Sequence, residues 1–172
     1  MRSSLLLCAA LSLAACTRGH VTAPGESVFT ADVRKLTLEN RGGGFRQLPP
    51  PDAACDPLPA TYTLIVAGHQ LSWEYCQVTG SGSTAIYTPR SGARALGDDE
   101  WSSLAPTLAA LIVSDATTCG VDKSVLALIV TIGEADLEYG DDFYACRDRS
   151  KPYILSDALN SAQQALGDLA RK

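Results

Sequence analysis

The chain has 172 residues, hydrophobic residues at 46% of its positions and a formal net charge of −5 at pH 7. This length and this apolar fraction suit one globular domain with a hydrophobic core. The acidic balance argues against a nucleic-acid partner, because binding to phosphates requires a basic protein surface. The sequence also lacks a Walker lysine, a dinucleotide-binding glycine pattern and a G-x-S-x-G motif, so no cofactor is expected.

The start of the chain has the layout of a secretory signal. Arg2 supplies a positive charge, and the uncharged run over residues 3–15 is shorter than the roughly 20 apolar residues that cross a bilayer. A short apolar run that ends in small residues is typical of a signal peptide, which is removed after export. Residues 1–15 are therefore excluded from the predicted domain.

The apolar run ends at Leu13-Ala14-Ala15-Cys16, which resembles the lipobox of bacterial lipoproteins. The resemblance implies that the Cys16 thiol receives a diacylglyceryl group, that cleavage falls just before it and that the new amino terminus is acylated. Several acyl chains anchor a protein stably, whereas one chain gives marginal binding. Because Thr17 and not an aspartate follows, the resemblance favours the outer membrane. An ordinary signal peptide, which leaves Cys16 as an unmodified thiol, is the alternative.

The remaining cysteines predict disulfides. Cys8 follows the bulky Leu7 and does not fit the lipobox, so it is expected to leave with the signal peptide. The exported domain then keeps four cysteines: Cys55, Cys76, Cys119 and Cys146. An even number in an exported chain implies two disulfides, and pairing in chain order is favoured because each such pair flanks a predicted hairpin. Zinc is disfavoured, since these cysteines are widely spaced and histidines are scarce.

The first half of the domain is predicted to be β-structure. Residues 16–30 are small and polar, as expected for a flexible tether. Alternating apolar residues over 31–40 predict a first strand. Two β-rich runs over 60–76 predict a hairpin that turns at residues 67–69, and a further strand is expected over 85–96.

Two helices are predicted in the second half. Three carboxylates at residues 98–100 favour a helix start, where the helix dipole attracts negative charge. Pro106 interferes with a regular helix from that point, so its regular part is expected to begin at residues 102–103. Apolar residues at helical spacing over 156–169, behind a cap at Ser156, predict a closing amphipathic helix.

The predicted fold class is α+β. The β-branched run over 123–132 predicts a buried central strand, and residues 143–146 are expected to return beside it. With the earlier elements this gives one domain over 31–172, an antiparallel sheet of about five or six strands with two helices on one face and two disulfides. The hairpin-then-helix order recurs, which leaves open two related units at 31–113 and 114–172.

Five carboxylates lie close together around two glycines: Glu134, Asp136, Glu138, Asp141 and Asp142. Oxygen ligands on a glycine-containing loop are the type that calcium prefers. Their spacing nevertheless lacks the order of an EF-hand loop, and charged hairpin tips are normally solvated. The favoured interpretation is a solvated tip, and no metal is predicted.

Two further sets of residues are candidates for function. His69 lies at the predicted hairpin turn and would have to serve any mechanism that needs a histidine, but an exposed turn histidine is favoured. Four aromatic residues offer a surface for a sugar or a peptide: Trp73, Tyr75, Tyr87 and Trp101. Because aromatic residues are only 6% of the chain, a core role is favoured.

The sequence thus predicts an exported, lipid-anchored lipoprotein of the cell envelope with a non-catalytic binding or structural role. Its expected partners are the membrane, through the lipid anchor, and a protein or glycan of the envelope. One alternative is an envelope hydrolase that uses the acidic hairpin tip and His69. Another is a protein inhibitor or immunity-like binder, to which a compact, disulfide-stapled sheet is suited.

Overall fold

The computed structural model describes residues 23–43, 49–115, 120–147 and 150–172. Within these ranges the elements follow one another as β1 (Val33–Asn40), β2 (Ala60–Ile65), β3 (Gln70–Thr79), β4 (Ile86–Ala95), α1 (Asp98–Ala109), β5 (Val113–Ser114), β6 (Leu126–Ile132), β7 (Ala135–Asp141), β8 (Tyr153–Ile154) and α2 (Ser156–Ala170). The predicted α+β class is confirmed.

All eight strands of the described chain join one sheet in the order β4-β3-β2-β1-β6-β7-β8-β5. Neighbouring strands run antiparallel, except for β7 and β8, which run parallel. The expectation of five or six strands in a purely antiparallel sheet is therefore wrong. The missed strands β5 and β8 have two residues each, which is too short for any alternation to show in the sequence.

Both helices cover the same apolar face of the sheet. Leucines alternate along the strands and are fully buried beneath the helices, as in Leu36 and Leu38 of β1 and Leu64 of β2. Helix α2 lies against β2, β3 and β6 and also packs on α1. Strand positions between the leucines, such as Thr37 and Thr63, fall on the opposite face, which we call the helix-free face.

Helix α1 begins earlier than expected. Its first residue is Asp98, and Gly97 forms the N-cap with its N–H donating to the Glu100 carboxylate at 3.2 Å. The predicted start at residues 102–103 is wrong because Pro106 is accommodated inside the helix. Pro106 lies on the exposed side, where water can bond to the carbonyl group that the missing proline N–H leaves unpaired.

The second hairpin is also tighter than expected. Ile132 pairs with Ala135 across a two-residue turn, and Gly133 in that turn has φ 63°, a value that favours glycine. The strand that returns beside β6 is therefore β7, and the prediction that residues 143–146 do so is wrong. Those residues belong instead to a short 3₁₀ turn and the bends after it.

The domain begins before residue 31. The N–H of Gly25 donates to the Val113 carbonyl at 2.8 Å and that of Val28 to the Leu111 carbonyl at 2.9 Å. Val28 itself is only 2% exposed and belongs to the core. The last part of the expected tether, residues 23–30, is thus built into the sheet edge. None of the described helices has the length and apolarity that crossing a membrane would take.

One predicted disulfide is confirmed. Cys55 is bonded to Cys76, with their Cα atoms 5.7 Å apart, and it closes the loop before β2 onto β3. Cys146 is also disulfide-bonded. Cys119, the partner that the sequence favours for it, lies outside the described residues, so that pairing stays a prediction.

Replacing Cys55 and Cys76 together by alanine is expected to lower the free energy of unfolding by about 3 kcal/mol, because the unfolded chain loses a loop constraint. Urea unfolding at pH 7 measures the change. Val78→Ala is the matched control, since Val78 follows on the same strand with its side chain largely exposed, and it should cost less than about 0.5 kcal/mol. A loss below about 1 kcal/mol in the cysteine double variant would contradict the prediction.

Candidate functional site

The five acidic residues of the predicted tip do not form one cluster. Glu134 lies in the β6–β7 turn, Asp136 and Glu138 project from β7 onto the helix-free face, Asp141 is buried and Asp142 begins the 3₁₀ turn. The tip is therefore mostly a strand. Across the part of the chain that the structure describes, no three His, Cys, Asp or Glu side chains gather closely enough to hold a metal ion.

The predicted histidine also lies far from the acidic residues. The His69 ring stacks on Trp101, with ring centroids 4.0 Å apart, and Trp101 in turn contacts Phe29. The neighbouring Gln70 and Asp136 occupy one row of the sheet with four strand-to-strand steps between them. At about 4.8 Å a step, this places the two sides ~19 Å apart. The residues that the hydrolase alternative requires are not brought together.

Three of the four aromatic candidates serve packing. Trp73, Tyr75 and Trp101 pack against the core. The Trp73 ring lies so close to Gly92 on β4 that a Cβ atom at that glycine would be 2.6 Å from it. Tyr87, the fourth candidate, lies on β4 opposite Val78.

The structure instead shows a polar network that the sequence did not predict. It consists of five residues: Ser114, Lys123, Asp141, Asp142 and Ser156. The Asp141 side chain has no exposed surface, and its Oδ2 atom lies 3.1 Å from the Lys123 ammonium nitrogen. The same ammonium contacts the Ser156 hydroxyl. The buried carboxylate is thus compensated by a cation, as burial of a charge requires.

Asp142 connects this network to helix α2. Its Oδ1 atom accepts from the Ser156 backbone N–H at 2.8 Å, and its Oδ2 atom accepts from the Ser114 hydroxyl at 2.9 Å. The expected cap by Ser156 is therefore wrong, since Ser156 is the first residue of the helix and a carboxylate from the preceding turn supplies the acceptor. A negative charge at this end also complements the helix dipole.

The contact between Ser156 and Lys123 has the two partners of a serine nucleophile and a lysine base. The same Lys123 nitrogen also pairs with the buried Asp141 carboxylate, so it is shared between the two side chains. The ammonium is also held 5.3 Å from the centroid of the Phe143 ring. This arrangement links the turn after β7 to the start of α2.

Little in the sequence indicates this network. Lys123 stands at the edge of a β-branched run and is separated by 18 residues from Asp141. Asp141 closes β7 and, unlike Asp136 and Glu138, faces the covered side. The one available signal is that Asp141 has the same place in the two-residue alternation as the inward-facing residues of β7. That signal can be used only when the strand is known to run from residue 135 to residue 141.

A second ion pair lies where the start of α1 meets the end of α2. The Arg94 guanidinium binds the Glu100 carboxylate through two bonds of 2.7 and 3.0 Å, and it also donates to the Leu169 carbonyl at 3.0 Å. The Arg94 contact, with the Gly97 N–H, lowers the pKa of Glu100 to about 2. Strand β4 is thereby linked to α1 and to the end of α2.

Comparison of the chain with protein-family models, with curated proteins and with solved structures finds no match. Function is therefore inferred from the residues themselves.

Lys123→Met is expected to lower the free energy of unfolding by about 3 kcal/mol, because it leaves the Asp141 carboxylate buried without a cation. Adding Asp141→Asn should recover part of that loss, which urea unfolding of the two single variants and the double variant measures. Lys35→Met, on the helix-free face of β1, is the control and should change little. If the double variant lost as much free energy of unfolding as the two single variants together, the two residues would not be coupled.

The Glu100 ion pair is expected to make stability depend on acid. Because its folded pKa is lowered to about 2, the pair contributes above the ordinary pKa of a glutamate, near 4.5, and this contribution is lost as pH falls through about 2. The difference in thermal midpoint between the unmodified chain and Glu100→Gln should therefore shrink between pH 7 and pH 2. Asp99→Asn, one position earlier in the same helix, controls for the loss of a helix-start charge, and an equal shrinkage there would contradict the prediction.

Proposed function

We propose that this chain is a lipoprotein of the bacterial cell envelope, anchored through Cys16, with a non-catalytic binding or structural role at the membrane surface. The observation that carries the proposal is the Leu13-Ala14-Ala15-Cys16 motif, which stands directly ahead of a folded domain. Ala23 is seven positions after Cys16, and Gly25 is already hydrogen-bonded to Val113 in the fold. The outer membrane is the proposed location because Thr17 follows the lipidated cysteine.

The short connection limits where the domain can stand. Seven residues span about 25 Å at full extension, which is less than the width of a domain of this size. The domain would therefore stay close to the bilayer, with the edge of the sheet at β5 nearest the anchor. Such a geometry suits a protein that acts on a component of the membrane surface.

A non-catalytic role is supported by what the candidate groups do. The His69 ring stacks on Trp101 at a distance from the acidic strand, and the Ser156 hydroxyl contacts a lysine that also pairs with the buried Asp141 carboxylate. The helix-free face, where the Thr37 and Thr63 hydroxyls lie 3.2 Å apart, is the proposed contact surface for a protein or glycan of the envelope.

The Cys16→Ala variant is expected to lose incorporation of labelled palmitate, because the thiol that receives the lipid is gone. Cys8→Ala is the matched control and should be labelled as the unmodified chain is, since Cys8 leaves with the signal peptide. Labelling and not fractionation is decisive, because an uncleaved apolar segment can itself hold the variant at a membrane. Palmitate on Cys16→Ala, or its loss from Cys8→Ala, would disprove the assignment of the anchor.

A further inference from the structure

A small basic cavity opens beside the polar network. It has a volume of about 110 Å³, and Val125, Gly140 and Asp141 form part of its wall. The residues that give it its character are three cations and a tyrosine: Arg41, Arg147, Lys151 and Tyr144. We call this cavity the basic pocket. Its size suits a single compact group.

The charges around the basic pocket are unusual for a chain whose net charge is −5. One exposed carboxylate, Glu138, is shared by Arg41 at 2.9 Å and Lys151 at 3.4 Å. The carboxylate in the wall, Asp141, is already bound by Lys123. Arg41 also pairs with Glu39 at 2.8 Å. With Lys123 included, four cations therefore share three described carboxylates around the pocket.

Several donors in the pocket remain available among the described contacts. Arg41 binds Glu39 and Glu138, but a guanidinium has five N–H groups and an ammonium has three. Arg147 makes one long bond of 3.5 Å to the Gly120 carbonyl. Its guanidinium lies 4.7 Å from the centroid of the Tyr144 ring, which orients the remaining N–H groups without engaging them.

We propose that the basic pocket binds a phosphate group. Two guanidinium groups and an ammonium reach a phosphate from different sides, and guanidinium N–H groups match phosphate oxygens in pairs. Glu138 does not prevent this binding, because it is exposed and its bonds to two cations are screened by water. The same chemistry is offered by a free phosphate ion and by the headgroup of a phospholipid.

The position of the pocket favours the lipid source, a point that rests on the proposed anchor. The segment that leads back to Cys16 pairs with β5, β5 pairs with β8, and β8 pairs with β7 at Gly140 and Tyr153. Both of these residues line the pocket. The pocket is therefore three strand steps, or ~15 Å, from the anchored edge of the sheet. A domain on a short tether can bring this site to the headgroups.

The test uses the full chain in dodecyl maltoside micelles and follows the chemical shifts of the Gly140 and Tyr144 amides by NMR. One arm adds inorganic phosphate, and the other adds phosphatidylglycerol to the micelles. Each probe is expected to shift these amides saturably. Arg147→Gln combined with Lys151→Gln should weaken binding roughly tenfold or more, as the loss of charged hydrogen bonds predicts.

The control removes the same number of charges elsewhere, through Arg90→Gln combined with Lys35→Gln, and should bind as the unmodified chain does. A response to phosphatidylglycerol alone supports the site with a headgroup as its source, and a response to inorganic phosphate alone supports it with a free ion. Absence of saturable shifts with both probes overturns the proposal, as does equal weakening in the two double variants. Failure of the anchor would show separately in the palmitate labelling.

Discussion

The apolar face of the sheet must be shielded from water, and the rest of the structure depends on which elements shield it. Strands β1, β2, β3 and β6 present leucines to one side, and a sheet with such a face is stable only when another layer removes it from water. Two helices supply that layer. Strand β1 lies between the first hairpin and the second and joins them into one sheet beneath both helices.

Helix α2 is held at both ends by charged groups of the sign that its dipole favours. Asp142 accepts the backbone N–H of Ser156 at its start, and Arg94 donates to the Leu169 carbonyl near its end. Negative charge at the N-terminus and positive charge at the C-terminus both stabilise a helix. The two contacts thereby fix the helix along the sheet in a way that non-directional leucine packing alone does not.

The contacts at the start of α2 also position the side chains of the basic pocket. Lys123 compensates Asp141, so the polar network is a support for α2 and for the turn after β7. That turn carries Arg147 and Tyr144 to the wall of the basic pocket, opposite Arg41 at the end of β1. A junction held by several polar contacts favours binding, because donors that are already in place lose less freedom when a ligand arrives.

Local patterns in the sequence determined several features of this protein. Alternation of apolar residues predicted β1 and the β2–β3 hairpin, helical spacing predicted α2, and two cysteines that flank one hairpin predicted the Cys55–Cys76 disulfide. In each case the signal lies within a few neighbouring residues or within one hairpin. The proposed lipid anchor at Cys16 also depends on a local pattern, the residues just before that cysteine.

Only the tertiary structure decided the remainder. Strands β5 and β8 exist because neighbouring strands hold their two residues in place. The prediction of a solvated acidic tip concealed β7, in which Asp136 and Glu138 lie. The pairing of Asp141 with Lys123, and the placement of Arg41 and Arg147 around one pocket, bring together residues that are distant along the chain. No local period encodes such contacts, because they form only when packing of the apolar face has fixed which strands are neighbours.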